Sequence, residues 1–550
     1  MTRLARLLLV LFVLAPAGAS AQESERLSAA IAARLGSDDR AVSGRPLDLA
    51  AVRRVYAERG SRPLWLAADG APKPSVAPVL ELLRAAGAEG LNAADYHADA
   101  LAAALPDADT DAERVALDLL LTDAVMKYAA HLRAGRVPPK AISPDYADVK
   151  PPSIDAAALA VRAAETADPR AVLAEAMPVR PEYAPLRAAL ARFRALEASG
   201  GWPAVPAFRV AKLEPGMRNP AVPALRRRLA VTGEFEGDAN ATADLYDPAL
   251  RAAVERFQAR HGLLADGVIG AGTLAALNVP VGERIGQIVA SLERLRWMPD
   301  DFGLRHLVVN IPDYSLKAVE DGAPVQEMRV IVGTKARRTP VLSSSIGSII
   351  LNPTWTMPVK LAKEDYLPKL LKDPGYLESH GISVFASWSA DAPRVDTREI
   401  DWQSLGGGIG KLRLRQDAGP GNALGRVKFN IANDFDVYLH DTPERWKFEK
   451  SMRALSSGCV RVGKPMELAD FVLAGTTEWP PERRQRQIDT RETKTVAVKR
   501  PVAVHIVYQT AWVDAAGTVQ FREDVYGRDA EMLETFARRS TAPQRVAEMR

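Results

Sequence analysis

Cysteine is almost missing from this sequence: 550 residues hold one, Cys459. No disulfide can form within the chain, and a lone thiol in so long a chain is either an inert core residue or a reactive one. Histidine is scarce as well, with seven in all and no Cys, His and Asp grouping at zinc-ligand spacing, so metal catalysis is disfavoured and no cofactor is expected. An excess of one charge is also lacking. The 72 Lys and Arg stand against 68 Asp and Glu, a net +4, with no basic face of the kind that nucleic acid requires, so no nucleic-acid partner is expected. Long apolar runs are absent too. Leu7 to Ala15 is shorter than the ~20 residues a spanning helix needs, and no later stretch is long and apolar enough.

That short run has a different use. Arg3 and Arg6 precede it, and the small triplet Ala19-Ser20-Ala21 follows, the pattern of a secretory signal over residues 1–21 cut before Gln22. The alternative is an uncleaved anchor. Cleavage would leave a mature, soluble protein beyond the cytoplasmic membrane, in the periplasm. A chain of this length predicts two to four domains rather than one core.

Residues 45–200 are rich in Ala and Leu at helical spacing. Val79, Leu82 and Leu83 share one face, Leu117, Leu121, Ala124 and Tyr128 repeat the period, and Pro138-Pro139, Pro151-Pro152 and Pro181 punctuate the region. This predicts a helical domain without a chemical motif. Residues 213–280 predict three short helices. Val222, Leu225 and Leu229 mark the first, Val254 and Phe257 the second, ended by Gly262, and a turn at Asp266-Gly267 leads to a third, capped by Thr273 and carrying Leu274 and Leu277. From about 300 to 530 the pattern is that of strands: HLVVNI, SLKAVEDGAPVQEMRVIVG with a hairpin at Asp321-Gly322, then SIILNP, RVKFNI, DVYLH, VAVHIVYQTAWV and TVQFREDVYG. Residues 360–405 interrupt the strands with a lysine-rich helical insertion and a loop, a candidate lid. The Arg-rich stretch 480–500 reads as a solvated loop. The fold class is multidomain α+β, helical first and mainly β last.

The chemistry concentrates between residues 438 and 461. Tyr438 and His440 are two apart in a strand and project from one face, while Val437 and Leu439 turn to the core. Nineteen residues after His440 (459 − 440) stands Cys459, approached by Ser456, Ser457 and Gly458. Gly458 lets the backbone approach a substrate, and the amides of Gly458 and Cys459 are candidates for an oxyanion site. A thiol with an ordinary pKa of about 8.5 needs a basic or cationic neighbour to be a useful nucleophile, and His440 is the natural candidate. Arg461 either adds positive charge there or makes a surface ion pair.

Two stretches resemble known families. AAVERFQARHGLLADGVIGAGTLAALN resembles the peptidoglycan-binding domain family, a three-helix bundle. LGRVKFNIANDFDVYLHDTP followed by RALSSGCVRV resembles the L,D-transpeptidase catalytic family, specifically its large members with a helical scaffold domain and a peptidoglycan-binding module. The family's usual His before the Gly of the cysteine motif is Ser457 here, as also fits the large subgroup. The resemblance implies Cys459 as nucleophile, His440 as general base and acid, the Gly458 and Cys459 amides as oxyanion site and Tyr438 as pocket residue or further donor. It also sets Trp355 of NPTWTMP and Asn422 of PGNALG at the border of the site as substrate-binding residues. From the residues alone, Trp355 reads equally as a core aromatic and Asn422 as a turn residue. The implied partner is peptidoglycan, as tetrapeptide donor and stem-peptide acceptor; a large, motif-free helical domain suits positioning rather than catalysis, and other cell-wall synthesis enzymes are the partners it would recruit. The implied reaction cross-links third-position residues through a thioester with loss of D-Ala, and carbapenems are implied inhibitors. Hydrolysis of the thioester, transfer to an envelope protein and mere wall binding remain open beside it. A papain-like peptidase fits poorly, because there Cys precedes His.

Overall fold

The computed structural model describes residues 17–541. Most of the expected signal segment, residues 1–16, lies outside the described residues, as do residues 542–550. Among the described residues no helix is long and apolar enough to cross a membrane.

The Ala- and Leu-rich first third folds as the periodicity predicts. Helices Ala17–Gly36, Leu49–Glu58, Val76–Arg84 and Asp111–Ala134 are the longer elements up to residue 134, and Tyr183–Ala198 closes the region. Leu117, Leu121, Ala124 and Tyr128 are all buried in its core. One polar group organises that core. The buried Asp118 carboxylate accepts the Leu64 and Trp65 amides at 2.9 and 2.7 Å and the Tyr56 hydroxyl, so a chain reversal with no helical partner for its amides is satisfied internally.

The next unit has helices Val222–Val231, Pro248–Arg260 and Ala271–Leu277 around Leu225, Leu229, Val254, Phe257 and Leu277. Gly262 ends the second helix at φ +69°, as its sequence position suggests. Thr273 does not cap the third helix. The N-cap is Gly270, and Thr273 lies inside the helix, where its hydroxyl accepts from buried Gln258 at 3.3 Å.

The last domain is built on a sheet. Its strands are β1 (Arg305–Asn310), β2 (Ser315–Glu320), β3 (Ala323–Gly333), β4 (Leu342–Leu351), β5 (Trp355–Thr356), β6 (Ile382–Phe385), β7 (Arg394–Val395), β8 (Arg413–Gln416), β9 (Val427–Ile431), β10 (Leu439–His440), β11 (Ala454–Ser456), β12 (Val460–Val462), β13 (Lys494–Val507), β14 (Ala511–Val513) and β15 (Val519–Phe521). The main sheet runs β11-β3-β12-β10-β9-β4-β13-β1-β2, and β2 pairs back with β3, so the sheet closes on itself like a barrel. Asp321 and Gly322 both have positive φ, +51° and +79°, which is the two-residue turn that the right-handed strand twist favours.

Two further expectations need correction. Residues 480–500 are not a solvated loop. They form helix Pro481–Thr490 and the start of β13, where Val496 and Val498 alternate inward between exposed neighbours. The charges masked the period, and Arg484 is itself buried, against the Trp479 carbonyl and the Asp470 carboxylate. The insertion is also larger than 360–405 and is more than a helix and loop. Strands β5-β8-β6-β7 make a second antiparallel sheet, and residues from Trp355 to Leu424 share a core of their own.

The helix Val281–Trp297 falls between the units delimited from sequence, yet it is among the most buried helices in the chain. Its polar residues face the domains on either side. Glu293 accepts the Arg136 and Val137 amides and pairs with Arg296 at 3.0 Å; Arg296 reaches the Tyr183 hydroxyl at 2.8 Å and the Glu89 carbonyl. Arg294 pairs with Asp529 of the C-terminal helix at 2.5 Å. Charges removed from water persist only when paired in this way. Glu293→Ala would leave Arg296 uncompensated. It is expected to cost about 3 kcal/mol and lower Tm by several degrees in calorimetry, with Glu293→Gln costing less because it keeps the amide acceptor.

Candidate active site

Strand pairing assembles the site. β10 runs parallel to β12 with Leu439 opposite Val460 and His440 opposite Arg461, and antiparallel to β9 with His440 opposite Lys428. Directly paired residues share a face, and so do residues two apart. Lys428, Tyr438, His440, Cys459 and Arg461 therefore lie on one face, while Val427, Phe429, Val437, Leu439, Val460 and Val462 fill the core behind it.

The turn that presents Cys459 is held from both sides. Ser456 Oγ accepts the Gly458 amide at 3.2 Å and donates to the Cys459 carbonyl at 2.6 Å. The buried Thr339 hydroxyl donates to the Gly458 carbonyl at 2.7 Å and accepts the Gly333 amide at 2.8 Å, while the Thr334 amide reaches the Ser456 carbonyl at 2.9 Å. Gly458 sits at φ +119°, a conformation that side chains rarely adopt, although a Cβ there would touch nothing nearer than 3.7 Å. The demand for glycine is thus conformational rather than steric. The expected pair of oxyanion amides divides: Gly458 N–H is committed to Ser456, whereas Cys459 N–H has no hydrogen-bond partner among the described residues.

Cys459 is partly exposed, and its thiol lies 3.8 Å from the Asp436 carbonyl. Burial of the sulfur pushes its pKa up, opposed by the backbone N–H and hydroxyl of Tyr438 and by Lys428 and Arg461. Burial also raises the Tyr438 phenol, reinforced by Cys459. His440 is buried, its ring 5.6 Å from that of Tyr438. Its Nδ1 lies 2.6 Å from the Asp441 carbonyl, which only accepts, so Nδ1 carries the proton and Nε2 the lone pair. Burial, with the cations Arg461 and Lys428, drives its pKa down to about 3. No hydrogen bond joins His440 to Cys459 in this resting state among the described contacts, and such bonds tighten in many enzymes only when substrate binds.

The remaining expected residues fall as follows. Arg461 is an ion-pair residue inside the site, 2.6 Å from Glu444. Ser457 Oγ accepts from Arg337 at 3.1 Å, and Arg337 also grips Glu364 and Asp365 of the insertion at 2.8 and 2.5 Å. Trp355 is buried in the core of the insertion, which packs against Tyr438, and it opposes the rise of that phenol. Asn422 answers to its turn-residue reading: its amide holds the Gln416 and Asp417 carbonyls and accepts the Leu424 amide, which leaves little for a substrate.

Sequence reasoning missed Lys428 and Arg337. Lys428 alternates with buried Val427 and Phe429, so a lysine on the open face of a strand was the available signal. Arg337 lies in a loop, and its guanidinium meets side chains well separated from it in the chain, Glu364, Asp365 and Ser457, so no local pattern marks it. Among the described residues no group of acidic, His or Cys side chains could hold a metal ion.

Residues 304–485 match the L,D-transpeptidase catalytic domain, and this span contains every residue of the face just described. The chain carries an L,D-transpeptidase catalytic domain. Residues 50–190 match the scaffold domain and 218–277 a peptidoglycan binding domain, so the transpeptidase domain follows two others. A relative from Haemophilus influenzae titled "Putative L,D-transpeptidase" is 38% identical over 246 residues, which are 45% of this chain and 48% of that protein. The match thus spans about half the length of the relative. Solved L,D-transpeptidases from Mycobacterium smegmatis and Stackebrandtia nassauensis are 12% and 14% identical. They cover 37% and 56% of this chain, 58% and 96% of their own, at TM-scores of 0.18 and 0.21, too low to carry residue equivalences.

The electrostatics predict how the resting thiol behaves. Alkylation of Cys459 by iodoacetamide is expected to rise through a single ionisation above the ordinary thiol value of about 8.5. A plateau of reactivity between about pH 4 and 6, the mark of a thiolate–imidazolium pair, would contradict the neutral His440 found here.

Proposed function

We propose that this chain is an exported cysteine L,D-transpeptidase that joins third-position residues of peptidoglycan stem peptides through a thioester on Cys459. The observation that carries the proposal is the single thiol of the chain set beside Tyr438, with a neutral imidazole on the same sheet face, inside a transpeptidase domain that follows a peptidoglycan binding domain.

The chemistry follows from the groups present. Nε2 of His440 is unprotonated and is the acceptor for the thiol proton once substrate closes the site. The thiolate attacks the carbonyl joining the third residue of a donor stem to its terminal D-Ala. Negative charge passes from sulfur to oxygen, where the Cys459 amide and the Tyr438 hydroxyl, packed against the core that holds Trp355, are the available donors. The His440 imidazolium returns the proton to the departing D-Ala amine, which leaves an acyl-thioester. An acceptor stem amine, deprotonated by His440, then attacks the thioester and frees Cys459. The insertion is fastened to the cysteine turn through Arg337 and packs on Tyr438, a cover that favours an amine over water as acceptor. The signal segment directs this activity to the periplasm. The scaffold and peptidoglycan binding domains hold the catalytic domain on its substrate and offer surfaces to other wall enzymes. Carbapenems are expected to acylate Cys459.

Incubating the mature protein with purified disaccharide-tetrapeptide and reading products by mass spectrometry tests this. A dimer lacking one D-Ala, formed by the wild type and lost in Cys459→Ala, is expected. A monomeric tripeptide as sole product would make water the acceptor and overturn the cross-linking assignment.

A further inference from the structure

Two side-chain cations, Arg461 and Lys428, act on the Cys459 thiol and a third, Arg337, on the neighbouring Ser457, and their partners differ. Arg461 is neutralised by Glu444 at 2.6 Å, and against the cost of burial the hydrogen bonds from Lys447 and Arg461 hold that carboxyl below its ordinary range, so the pair is fully ionised. Arg337 is matched by two carboxylates, Asp365 and Glu364. Lys428 has none: no carboxylate lies within ion-pair distance of its ammonium among the described residues, and no hydrogen bond satisfies it. The ammonium rests 4.0 Å from the centre of the Tyr438 ring, on the side chain whose hydroxyl meets the thiol. Strand pairing sets it opposite His440, on the face that holds Cys459.

A half-buried ammonium against an aromatic face retains only part of its hydration, and the attraction of the ring replaces part of what is lost. The anions that face it are the Asp436 carboxylate, beyond ion-pair range, and Cys459 when ionised; both favour the charged lysine, against burial. His440 cannot supply the counter-charge at rest, because its imidazole is neutral and Lys428 itself helps to keep it so. Tyr438 supplies a dipole and no net charge.

We infer that Lys428 is the fixed counter-charge of the Cys459 thiolate, a positioning residue that uses the Tyr438 ring as its seat and so couples the charge to the hydroxyl that meets the sulfur. The inference rests on the reading of Cys459 as nucleophile but not on the identity of the acceptor. It assigns a division of labour: Lys428 sets how readily the sulfur ionises, and His440 carries the proton.

Because the chain has one thiol, its ionisation can be read in the full-length protein without any wall substrate. The rate of iodoacetamide alkylation against pH would be compared for wild type, Lys428→Gln, Lys428→Met and Lys428→Arg, with thermal melts to confirm folding. Loss of the charge is expected to move the ionisation up by about one unit, a roughly tenfold slower alkylation at fixed pH below it. Lys428→Arg should stay within about threefold of wild type. Carbapenem acylation should fall in step with alkylation. An unchanged ionisation in folded Lys428→Gln would overturn the inference, as would equal losses in the Gln and Arg variants. Failure of the cross-linking assay with the alkylation shifts intact would instead bear on the acceptor alone.

Discussion

The parallel pairing of β10 with β12 is the contact on which the site depends. It is two residue pairs long, Leu439 with Val460 and His440 with Arg461. The Leu and Val members are buried, so the register is fixed by the core: a slip of β10 by one residue would turn Leu439 out and Tyr438 and His440 in, against a Val460 that stays buried. With the register set, the residue before Val460 must lie beside the one before Leu439, which brings Cys459 to Tyr438. Parallel neighbours need a crossover between them, and residues 441–459 supply it. That crossover contains Glu444, the partner of Arg461, and Ser456, which shapes the cysteine turn.

So short a pairing needs support from outside, and each support comes from a different part of the chain. Asp441 accepts the Arg426 amide and side chain and the Arg445 guanidinium, and Gly425 passes so near that a Cβ there would lie 2.5 Å from the Asp441 carboxyl carbon. The loop after β3 holds the cysteine turn through Thr339 and the insertion through Arg337. The same loop is gripped by the scaffold domain: Asp145 approaches Arg338 at 3.7 Å, its carbonyl accepts the Val341 amide, and its carboxylate pairs at 2.8 Å with Arg528 of the C-terminal helix, which donates to the Thr339 carbonyl. The helical domain therefore bears on the cysteine turn through this loop, and a motif-free domain gains a physical reason for its place in the chain. Its influence on the thiol is a matter of geometry and charge at one loop.

The elements readable from sequence were those with a strong period or an unambiguous turn. Val437 and Leu439 alternating with Tyr438 and His440 gave the orientation of the strand, Asp321-Gly322 gave a hairpin, and Leu117 to Tyr128 gave a helix face. Features that failed were those where charge obscured the period, as in Lys494 to Lys499, or where buried charges depended on distant partners, as in the helix carrying Glu293, Arg294 and Arg296. The cysteine and histidine could be singled out because their types are rare here and their spacing distinctive. Lys428 and Arg337 could not, because lysine and arginine are common and only tertiary placement distinguishes these two. Asn422 showed the reverse problem: a polar residue beside a motif invites a binding role, while the fold needs its amide to hold the loop.

The proposed chemistry turns on one bond, the thioester between Cys459 and a stem peptide shortened by D-Ala. The direct test is to mix protein and disaccharide-tetrapeptide, quench in acid within the first turnovers, digest, and weigh the peptide that contains Cys459. A mass increase equal to the donor less D-Ala, confined to that peptide, is the predicted result. A thiol that stays unmodified while remaining open to alkylation, or an adduct that retains its D-Ala, would contradict it.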